Sequence, residues 1–429
     1  MKHYGTSYVM YLLCQQSCWR LADMKGRVLV TGASVAGVTA AWWLARQGMP
    51  VDLVERVASF RDGGQNVDVR GAGRAVLRRM ALEQAALDLS TSEYGTDLVD
   101  SDNQVIARFG VDEGGDRGPT AELKIRRGDI ARLIYDDLGD GVDARFGDHV
   151  AGIAQDDAGV DVTFASGRPG RYATVIVAEG VGSSTRELVF PGENDPRWMD
   201  MTVAYFSVPR RDHDGDYARL YNTTEGRGAI LKPDREATTL GAYIGMQGKA
   251  DGTQDWDSDR QKRHVRERFA DVGWEMPRLL DAMQATDDFY YDAMRQVRMD
   301  RWSNGRVFLT GDAAWCPTGL SGMGTTLAIV GSYVLVGELC RHADPMAAAR
   351  GYEAVMRPYV EEGQSLPKIV PRLMWPHSRL GVGALRTAAR VVSAAPLQKL
   401  VTANFARDAE KVDLPDYPLA TGRAAEPVA

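Results

Sequence analysis

The stretch 27–55, RVLVTGASVAGVTAAWWLARQGMPVDLVE, decides the fold of this chain. Short apolar, β-branched runs predict buried strands, and the longer run of alanine, leucine and tryptophan between them predicts a helix. The predicted parts are a strand at 27–31, a glycine turn at 32–37, a helix at 38–47 and a strand at 51–54, which Glu55 follows. This order predicts a βαβ unit and therefore an α/β, Rossmann-like fold with an open sheet.

The glycine turn has the residue types of a dinucleotide-binding loop, with predicted cofactor contacts at Gly32, Ser34, Ala36 and Gly37. Gly32 permits a tight turn, Gly37 permits close packing of helix against strand, and the helix N-terminus then faces a pyrophosphate. Ser34 stands at the middle glycine position of G-x-G-x-x-G. Glu55 is placed to accept hydrogen bonds from ribose hydroxyls. A tight turn without a ligand is the alternative, and the βαβ context with Glu55 favours a nucleotide.

Two further predicted strands end in an acidic residue beside a glycine. The features are, in chain order, a strand at 173–178, Glu179 and Gly180, the residues Ser183 to Arg186, a strand at 305–310, Gly311 and Asp312, a glycine-rich loop at 315–324 and an apolar helix to about Cys340. In an open α/β sheet, strand ends that converge on one cleft build a ligand site.

These three motifs, in this order, resemble those of the group A FAD-dependent monooxygenases, the family with the para-hydroxybenzoate hydroxylase fold. Within the family, the chain most resembles the tetracycline-inactivating monooxygenases and the polyketide-tailoring hydroxylases. The resemblance covers about residues 25–365, and the stretches that carry the closer likeness are 63–71, 125–129, 273–274, 287–292 and 311–339. Glu179 replaces the family's Asp, Trp315 stands where His or Tyr is common, and Met323 stands where Gln is common.

The resemblance implies FAD as cofactor and assigns contacts to it. Glu55 is expected at the adenosine ribose, and Arg56 at the pyrophosphate or adenine, with a solvated surface arginine as an equal alternative. Arg127 matches a family arginine that contacts the ribityl and phosphate region, although the doublet with Arg126 leaves the register open. Asp312 is expected to accept a hydrogen bond from a ribityl hydroxyl.

The loop from Pro317 to Gly324 is the expected flavin contact. In this family the helix after the loop points its N-terminus at the flavin N1–C2=O edge. Backbone N–H groups of Gly322, Met323 and Gly324, together with the helix dipole, are expected to stabilise negative charge on the reduced flavin.

The resemblance also implies the reaction. NAD(P)H reduces the flavin, O2 adds at flavin C4a, and the hydroperoxide transfers oxygen to an electron-rich carbon of a polycyclic aromatic or polyketide-like molecule, in biosynthesis or antibiotic inactivation. No catalytic protein residue is predicted, because the cofactor carries the chemistry. Two alternatives stay open: a non-hydroxylating flavoenzyme (an epoxidase, Baeyer–Villiger enzyme or oxidase), and a FAD-containing protein that sequesters a drug.

Between residues 200 and 244 the pattern changes to short strands joined by polar turns, which predicts an antiparallel sheet laid over the flavin. The runs 97–109 and 122–125 are candidates for further strands of this sheet. Tyr205, Tyr221 and Tyr243 are candidate substrate contacts, and alternate core residues of the sheet are the favoured alternative.

The predicted organisation has three parts and an extension. It comprises a disordered extension at 1–23, a discontinuous FAD-binding domain at 24–96, 126–186 and 290–345, a substrate-binding domain at 97–125 and 187–289, and C-terminal helices with a tail at 346–429 that is loose after Lys411. A helix at 383–405 is expected to cap the active site, bridge the domains or make a dimer contact.

The composition of the chain limits the kinds of partner that the protein is expected to bind. The 51 basic and 58 acidic residues give a net charge of −7, which disfavours nucleic acid and anionic membranes. The longest apolar run, 327–340, contains Gly331, Gly337 and Glu338, so no membrane span is predicted. A monomer or homodimer is expected.

The small number of cysteines indicates the cellular compartment in which the protein is expected to work. Four cysteines among 429 residues indicate a reducing cytoplasm rather than a disulfide framework. Cys14 and Cys18 lie near His3 but lack a second ligand pair, so no metal site is predicted.

Overall fold

The computed structural model describes residues 26–60, 63–91, 94–110, 123–193, 196–236, 238–249, 251–366, 370–393 and 414–419. The expectations for residues 1–23, including Cys14 and Cys18, lie outside this part of the chain.

Strands and helices alternate over the first third of the chain, and strands then dominate until the C-terminal helices. The strands are β1 (Val28–Thr31), β2 (Val51–Glu55), β3 (Asn66–Val69), β4 (Gly95–Val99), β5 (Val105–Gly110), β6 (Leu123–Arg126), β7 (Val142–Phe146), β8 (Val150–Gln155), β9 (Val160–Phe164), β10 (Pro169–Tyr172), β11 (Thr174–Val177), β12 (Arg197–Pro209), β13 (Ala218–Asn222), β14 (Arg227–Pro233), β15 (Thr239–Gln247), β16 (Phe289–Gln296), β17 (Ser303–Asn304) and β18 (Val307–Leu309). The helices are α1 (Val35–Arg46), α2 (Gly71–Arg79), α3 (Glu83–Asp88), α4 (Arg127–Asp136), α5 (Ser184–Val189), α6 (Ser258–Arg268), α7 (Met276–Ala285), α8 (Asp312–Trp315), α9 (Gly324–Arg341), α10 (Pro345–Gln364), α11 (Val370–Met374) and α12 (Arg379–Val392).

A six-stranded sheet of order β17-β18-β11-β1-β2-β7 forms the nucleotide-type half of the molecule. β1 lies parallel to β2 and to β11, so that Val30 is beside both Leu53 and Ile176. All residues of β1 and β11 are buried, and strands covered on both faces read as continuous apolar runs. The parallel alignment brings the carboxyl ends of β1, β2, β11 and β18 to one edge.

A seven-stranded sheet of order β16-β12-β15-β14-β13-β4-β5 forms the second half. The run 97–109 supplies β4 and β5, as expected. β13 and β4 run parallel, so the sheet is mixed rather than purely antiparallel. The run 122–125 does not join it, because β6 pairs with β3 in a separate two-stranded ribbon. β8, β9 and β10 form a further three-stranded sheet.

The expected fold class is confirmed: an α/β half of Rossmann type, a second sheet and C-terminal helices. The domain limits given above remain a prediction. Several helices begin at side chains that accept a hydrogen bond from a backbone amide of the first turn, namely Ser183, Asp257, Asp344 and Ser378.

The long helix α9 is buried along nearly its whole length. The glycines that interrupt its apolar run are packing positions. A Cβ on Gly331 would lie 2.5 Å from the ring of Trp315, and one on Gly337 would lie 2.3 Å from the ring of Tyr417. Across the described residues, the model contains no helix with the length and apolar character needed to traverse a bilayer.

The C-terminal segment 414–419 is docked, which corrects the expectation that the chain is loose after Lys411. Leu414 and Tyr417 are buried. The Tyr417 hydroxyl donates to the carboxylate of Glu338 at 2.5 Å, and the Tyr333 hydroxyl donates to the carbonyl of Pro415 at 2.8 Å. The segment therefore closes the outer side of α9.

Replacing Tyr417 with alanine is expected to lower the free energy of unfolding by about 3 kcal/mol, because a buried ring is lost over Gly337 and no neighbour refills the space. Urea unfolding of the purified variant measures the change. Tyr94→Ala serves as the matched control, since Tyr94 is 59% exposed. Equal stability of the two variants would show that the docked segment contributes nothing.

Candidate functional site

The turn between β1 and α1 requires glycine at two positions. Gly32 has a φ of +95°, and a Cβ there would lie 2.4 Å from the carbonyl oxygen of Ala178. A Cβ on Gly37 would lie 1.8 Å from the carbonyl oxygen of Gly32. Side chains at these positions would overlap the backbone, so only glycine leaves this turn and the first amides of α1 in place.

Ser34 and Ala36 complete the turn. Ser34 is exposed at the start of α1 and makes no capping hydrogen bond. Ala36 is buried, and its Cβ would lie 2.7 Å from a Cβ on Gly311. The first motif therefore directly contacts the third motif.

Glu55 lies at the end of β2 with its carboxylate held by the backbone. The N–H groups of Ala33 and Val57 donate to it at 2.8 and 3.0 Å. A carboxylate has about four acceptor sites, so capacity remains for ribose hydroxyls. A small cleft opens beside it, and the exposed Arg56 and the half-buried His149 are among its lining residues.

The second motif is an anchored loop. The carboxylate of Glu179 accepts hydrogen bonds from the hydroxyls of Ser183 and Thr185 at 2.7 and 2.6 Å. Arg186 is fully buried and donates to the carbonyl oxygens of Ala313 and Val181. Burial lowers the pKa of Arg186. Glu179 thus serves as an acceptor inside the loop, and Arg186 ties the ends of β11 and β18 together.

The third motif is a loop with unusual backbone geometry. Thr318 is buried with a φ of +86°, a conformation that is strained for a β-branched residue. Gly322 has a φ of +66°. The carbonyl of Pro317 accepts a hydrogen bond from Gln296 Nε2 at 3.1 Å, which fastens the loop to β16. Strain of this kind persists where the surrounding structure enforces it, and it is common at ligand sites.

The helix α9 starts inside this motif, with Met323 as its cap residue. A Cβ on Gly324 would lie 3.9 Å from both Asp312 Oδ1 and Pro317 Cγ, and one on Gly322 would meet its nearest protein atoms at 3.8 Å. A Cβ at either position would therefore meet protein atoms only at ordinary van der Waals distance. The helix N-terminus, with its partial positive charge, faces this space.

Trp315 takes no part in this surface. Its ring is buried, with ring centres 4.6 Å from Trp302 and 5.7 Å from Tyr352. The indole fills the core beneath α9 and α10, which explains why a large aromatic residue is tolerated in place of the family's His or Tyr.

The two adjacent arginines, Arg126 and Arg127, have different neighbours in the structure. Arg126 lies 3.7 Å from the carboxylate of Asp234. Arg127 lies beside Gly64, and its guanidinium is 5.9 Å from the ring centre of Tyr290. Arg127 is therefore the member of the pair that faces the junction of the two sheets.

A charged cluster occupies that junction. Burial raises the pKa of Asp312, against the opposing influence of Arg127 and of a hydrogen bond with Cys316. Burial also raises the pKa of Asp292 to about 6, against the opposing influence of Arg295 and Arg127. Sequence analysis missed Asp292 and Arg295. The sequence feature that could have indicated them is the predicted strand that begins within the stretch 287–292 and carries both residues.

Two of the three candidate substrate tyrosines share one face of the second sheet. Tyr205 pairs across strands with Tyr243 and with Tyr290, at ring-centre distances of 4.9 and 6.0 Å. Directly opposed residues lie on the same face. The Tyr243 hydroxyl accepts a hydrogen bond from the N–H of Asn66 at 2.7 Å. We call Tyr205, Tyr243 and Tyr290 the tyrosine face.

The third candidate substrate contact, Tyr221, lies on the opposite face of the sheet from Tyr205 and Tyr243, so it does not join them at one surface. It pairs across strands with Ala229, which in turn pairs with Ile244, one residue out of phase with Tyr243. Its ring stacks on Trp274 at 5.1 Å, within the core that α6 and α7 cover. A one-residue offset in a strand places a side chain on the opposite face.

Trp375, in the segment between α11 and α12, covers one end of the tyrosine face. A Cβ on Gly245 would lie 1.6 Å from its ring, and one on Gly228 would lie 2.2 Å from its Nε1. Gln247 Nε2 donates to the carbonyl of Trp375 at 2.7 Å. The C-terminal segment that precedes the helix expected at 383–405 therefore supplies an apolar wall, and the two glycines make room for it.

Among the described residues, His213, Asp214 and Glu275 form a group that has the spacing of a metal site. Arg219 and Arg278 both pair with the carboxylate of Asp214. Two guanidinium groups on one carboxylate oppose cation binding, so this group acts as an ion-pair cluster.

Comparison with known proteins agrees with this architecture. The family model described as "FAD binding domain" matches residues 25–362. Monooxygenase CTB7 of Cercospora beticola is 33% identical over 416 residues, covering 92% of this chain and 99% of its own length. FAD-dependent monooxygenase asL6 of Sarocladium schorii is 31% identical over 421 residues, with coverages of 92% and 99%.

A similar fold is known from a crystal structure. Tetracycline destructase Tet(51) superposes with a TM-score of 0.77 at 27% identity, covering 91% of this chain and 100% of that one. The sheet order, the three motifs at one sheet edge and these relatives lead to one conclusion. The chain belongs to the group A FAD-dependent monooxygenases.

Proposed function

We propose that this protein uses NAD(P)H and O2, through bound FAD, to hydroxylate a polycyclic aromatic or polyketide-like small molecule, in biosynthesis or antibiotic inactivation. The observation that carries the proposal is the meeting of two surfaces at one loop. The first two motifs contact the third at Gly311 and Ala313, and Leu320 in the loop before α9 packs in the same apolar cluster as Tyr205 and Tyr243.

The described residues fit FAD at both ends of the cofactor. At the adenosine end, Glu55 retains acceptor capacity beside a cleft, and Gly32 and Gly37 keep the turn before α1 free of side chains that would overlap the backbone. At the flavin end, protein atoms approach the Cβ positions of Gly322 and Gly324 no closer than 3.8 Å, so no protein clash requires glycine at either position. A flat ring against the backbone would require glycine there.

When bound, FAD supplies the redox chemistry with NAD(P)H and O2. Arg127 would provide positive charge beside the phosphate and ribityl region, and Asp312 would accept a hydrogen bond from a ribityl hydroxyl. The N–H groups of Gly322, Met323 and Gly324, with the dipole of α9, would stabilise negative charge at the ring edge.

The substrate would lie between this loop and the tyrosine face. One part of its wall is aromatic and apolar, with Trp375 and Met294 in the same apolar cluster as Tyr205 and Tyr243, and the charged cluster at the junction forms another part. A wall of this kind excludes water and favours a flat, apolar molecule. Tetracycline, the compound in the name of the Tet(51) enzyme, is a polycycle of this class.

The first test is the visible spectrum of the purified protein, followed by NADPH oxidation with and without a panel of aromatic polyketides that includes a tetracycline. We expect a bound-flavin spectrum, oxidation stimulated by at least one compound, and a product heavier by one oxygen atom. A colourless protein that FAD cannot reconstitute would overturn the cofactor assignment. A yellow protein that no compound stimulates would favour a non-hydroxylating flavoenzyme or a drug-sequestering protein.

The cellular setting stays a prediction. Cys316 and Cys340 are buried and take part in no disulfide among the described residues, in keeping with a reducing cytoplasm. A monomer or homodimer is the expected assembly, and size-exclusion chromatography with light scattering would distinguish the two.

A further inference from the structure

Asp292 places a carboxylate within the tyrosine face. β16 carries Tyr290 and Asp292 two residues apart, so both side chains lie on the same side of the sheet. Asp292 pairs across strands with Val203, which belongs to the apolar cluster of Trp375 and Met294. The Tyr290 hydroxyl acts to lower the pKa of the Asp292 carboxyl, against the dominant effect of burial. An acid thus stands beside aromatic and apolar side chains on this face of the sheet.

This carboxylate lies next to the loop that would hold the flavin. A Cβ on Gly319, in the third motif, would lie 3.2 Å from the sulfur of Met294, the next residue of β16 on the same face as Asp292. The charged and titratable groups that act electrostatically on Asp292 come from four elements: Arg127 of α4, Tyr290 and Arg295 of β16, Tyr205 of β12, and Asp312 and Cys316 at α8.

We propose that Asp292 recognises the substrate, and that its carboxylate accepts a hydrogen bond from a phenolic or enolic hydroxyl of the bound polycycle. This inference rests on the proposed function and deepens it: the substrate class becomes hydroxylated polycycles rather than polycycles in general. The bond orients the ring so that the carbon to be hydroxylated faces the flavin loop.

A substrate hydroxyl suits this carboxylate better than the cofactor does. A carboxylate is an acceptor only and needs donors. The phosphates of FAD are anionic and would repel it, and Asp312 already stands as the acceptor for a ribityl hydroxyl. A phenol or enol is a donor on an apolar ring, which matches both the carboxylate and its surroundings.

The proposal predicts a pH dependence with a defined sign. Burial raises the pKa of Asp292 to about 6, so the carboxylate is ionised above that pH and takes up a proton as the pH falls through it. Binding of a hydroxyl-bearing ligand should therefore weaken as the pH drops below about 6. Asp312 also has a raised pKa, and the variant Asp292→Asn separates the two groups because only Asp292 is changed.

The test compares two probes in the holoprotein: 2-naphthol, which carries a donor hydroxyl, and 2-methoxynaphthalene, which does not. Binding is followed by the perturbation of the flavin absorbance, in the wild type, in Asp292→Asn and in the control Asp287→Asn, at about pH 8 and about pH 5. Asp287 is exposed and precedes the same strand, so the control changes the same group outside the tyrosine face. FAD content is measured for every variant.

We expect Asp292→Asn to weaken 2-naphthol binding about tenfold at the higher pH, to leave the ether unaffected, and to remove the pH dependence. Asp287→Asn should match the wild type. Unchanged 2-naphthol affinity in Asp292→Asn, or no response of the wild type to 2-naphthol, would overturn the proposal. Loss of FAD from Asp292→Asn would overturn it too, because the carboxylate would then serve the cofactor. Since binding is measured without turnover, failure of the hydroxylation assay is a separate result.

Discussion

Replacing Gly37 with alanine is expected to yield a protein that retains no FAD and is less stable by about 3 kcal/mol or more. The added Cβ would lie 1.8 Å from the carbonyl oxygen of Gly32, a backbone atom that has no rotamer to move away. α1 would have to shift from β1, and Ala36 would lose its contact with the third motif. Overpacking against a fixed backbone is among the most destabilising single changes.

Gly383→Ala is the matched control for this prediction. Gly383 lies in α12, and among the described residues nothing stands within 4 Å of its Cβ position. Alanine in a helix interior is favoured over glycine by up to about 1 kcal/mol, so this variant should be as stable as the wild type or slightly more stable. Thermal unfolding and the flavin absorbance of the purified proteins measure both effects. A yellow Gly37→Ala protein of normal stability would contradict the assignment of this turn.

Replacing Arg127 with alanine should weaken FAD binding by roughly 10- to 100-fold, because a charge-assisted hydrogen bond to phosphate or ribityl is lost. Arg126→Ala should behave differently. Its partner Asp234 is 5% exposed and would be left without its arginine, so stability should fall by about 1 kcal/mol while FAD affinity stays within about threefold of the wild type.

Titration of the apoproteins with FAD, together with urea unfolding, separates the two arginines. The expected pattern is an affinity loss confined to Arg127→Ala and a stability loss in Arg126→Ala. An affinity loss in Arg126→Ala alone would move the cofactor contact by one residue. Equal FAD affinity in both variants and the wild type would remove the doublet from the cofactor site.

Local patterns predicted the nucleotide-type half well. β1, α1 and β2 follow from residues that are neighbours in sequence, because apolar runs and the glycine turn report burial and backbone geometry directly. The structure adds the reason for two of the glycines: Gly32 and Gly37 avoid overlap with backbone carbonyls. The motifs also identified a flavoprotein family, which the relatives confirm.

Other features depended on which strands pair and in what register. The sequence run at 122–125 reads as a strand, yet its partner is β3, about 55 residues earlier, rather than the second sheet. Tyr221 and Tyr243 both lie in strands that alternate regularly, and only the register places them on opposite faces. The alternation of side chains along a strand shows which residues share a face, but it does not show which face of the sheet lines the cleft.

The sequence by itself therefore determined the βαβ unit, the three motifs and the family, because each of these is written in residues close together along the chain. The tertiary structure alone decided that Arg127 rather than Arg126 faces the junction, that residues 414–419 dock on α9, and that Asp292 joins Tyr205 and Tyr290 on one face. These outcomes depend on contacts between segments far apart in sequence, whose pairing is set by packing of the whole core and not by any local pattern.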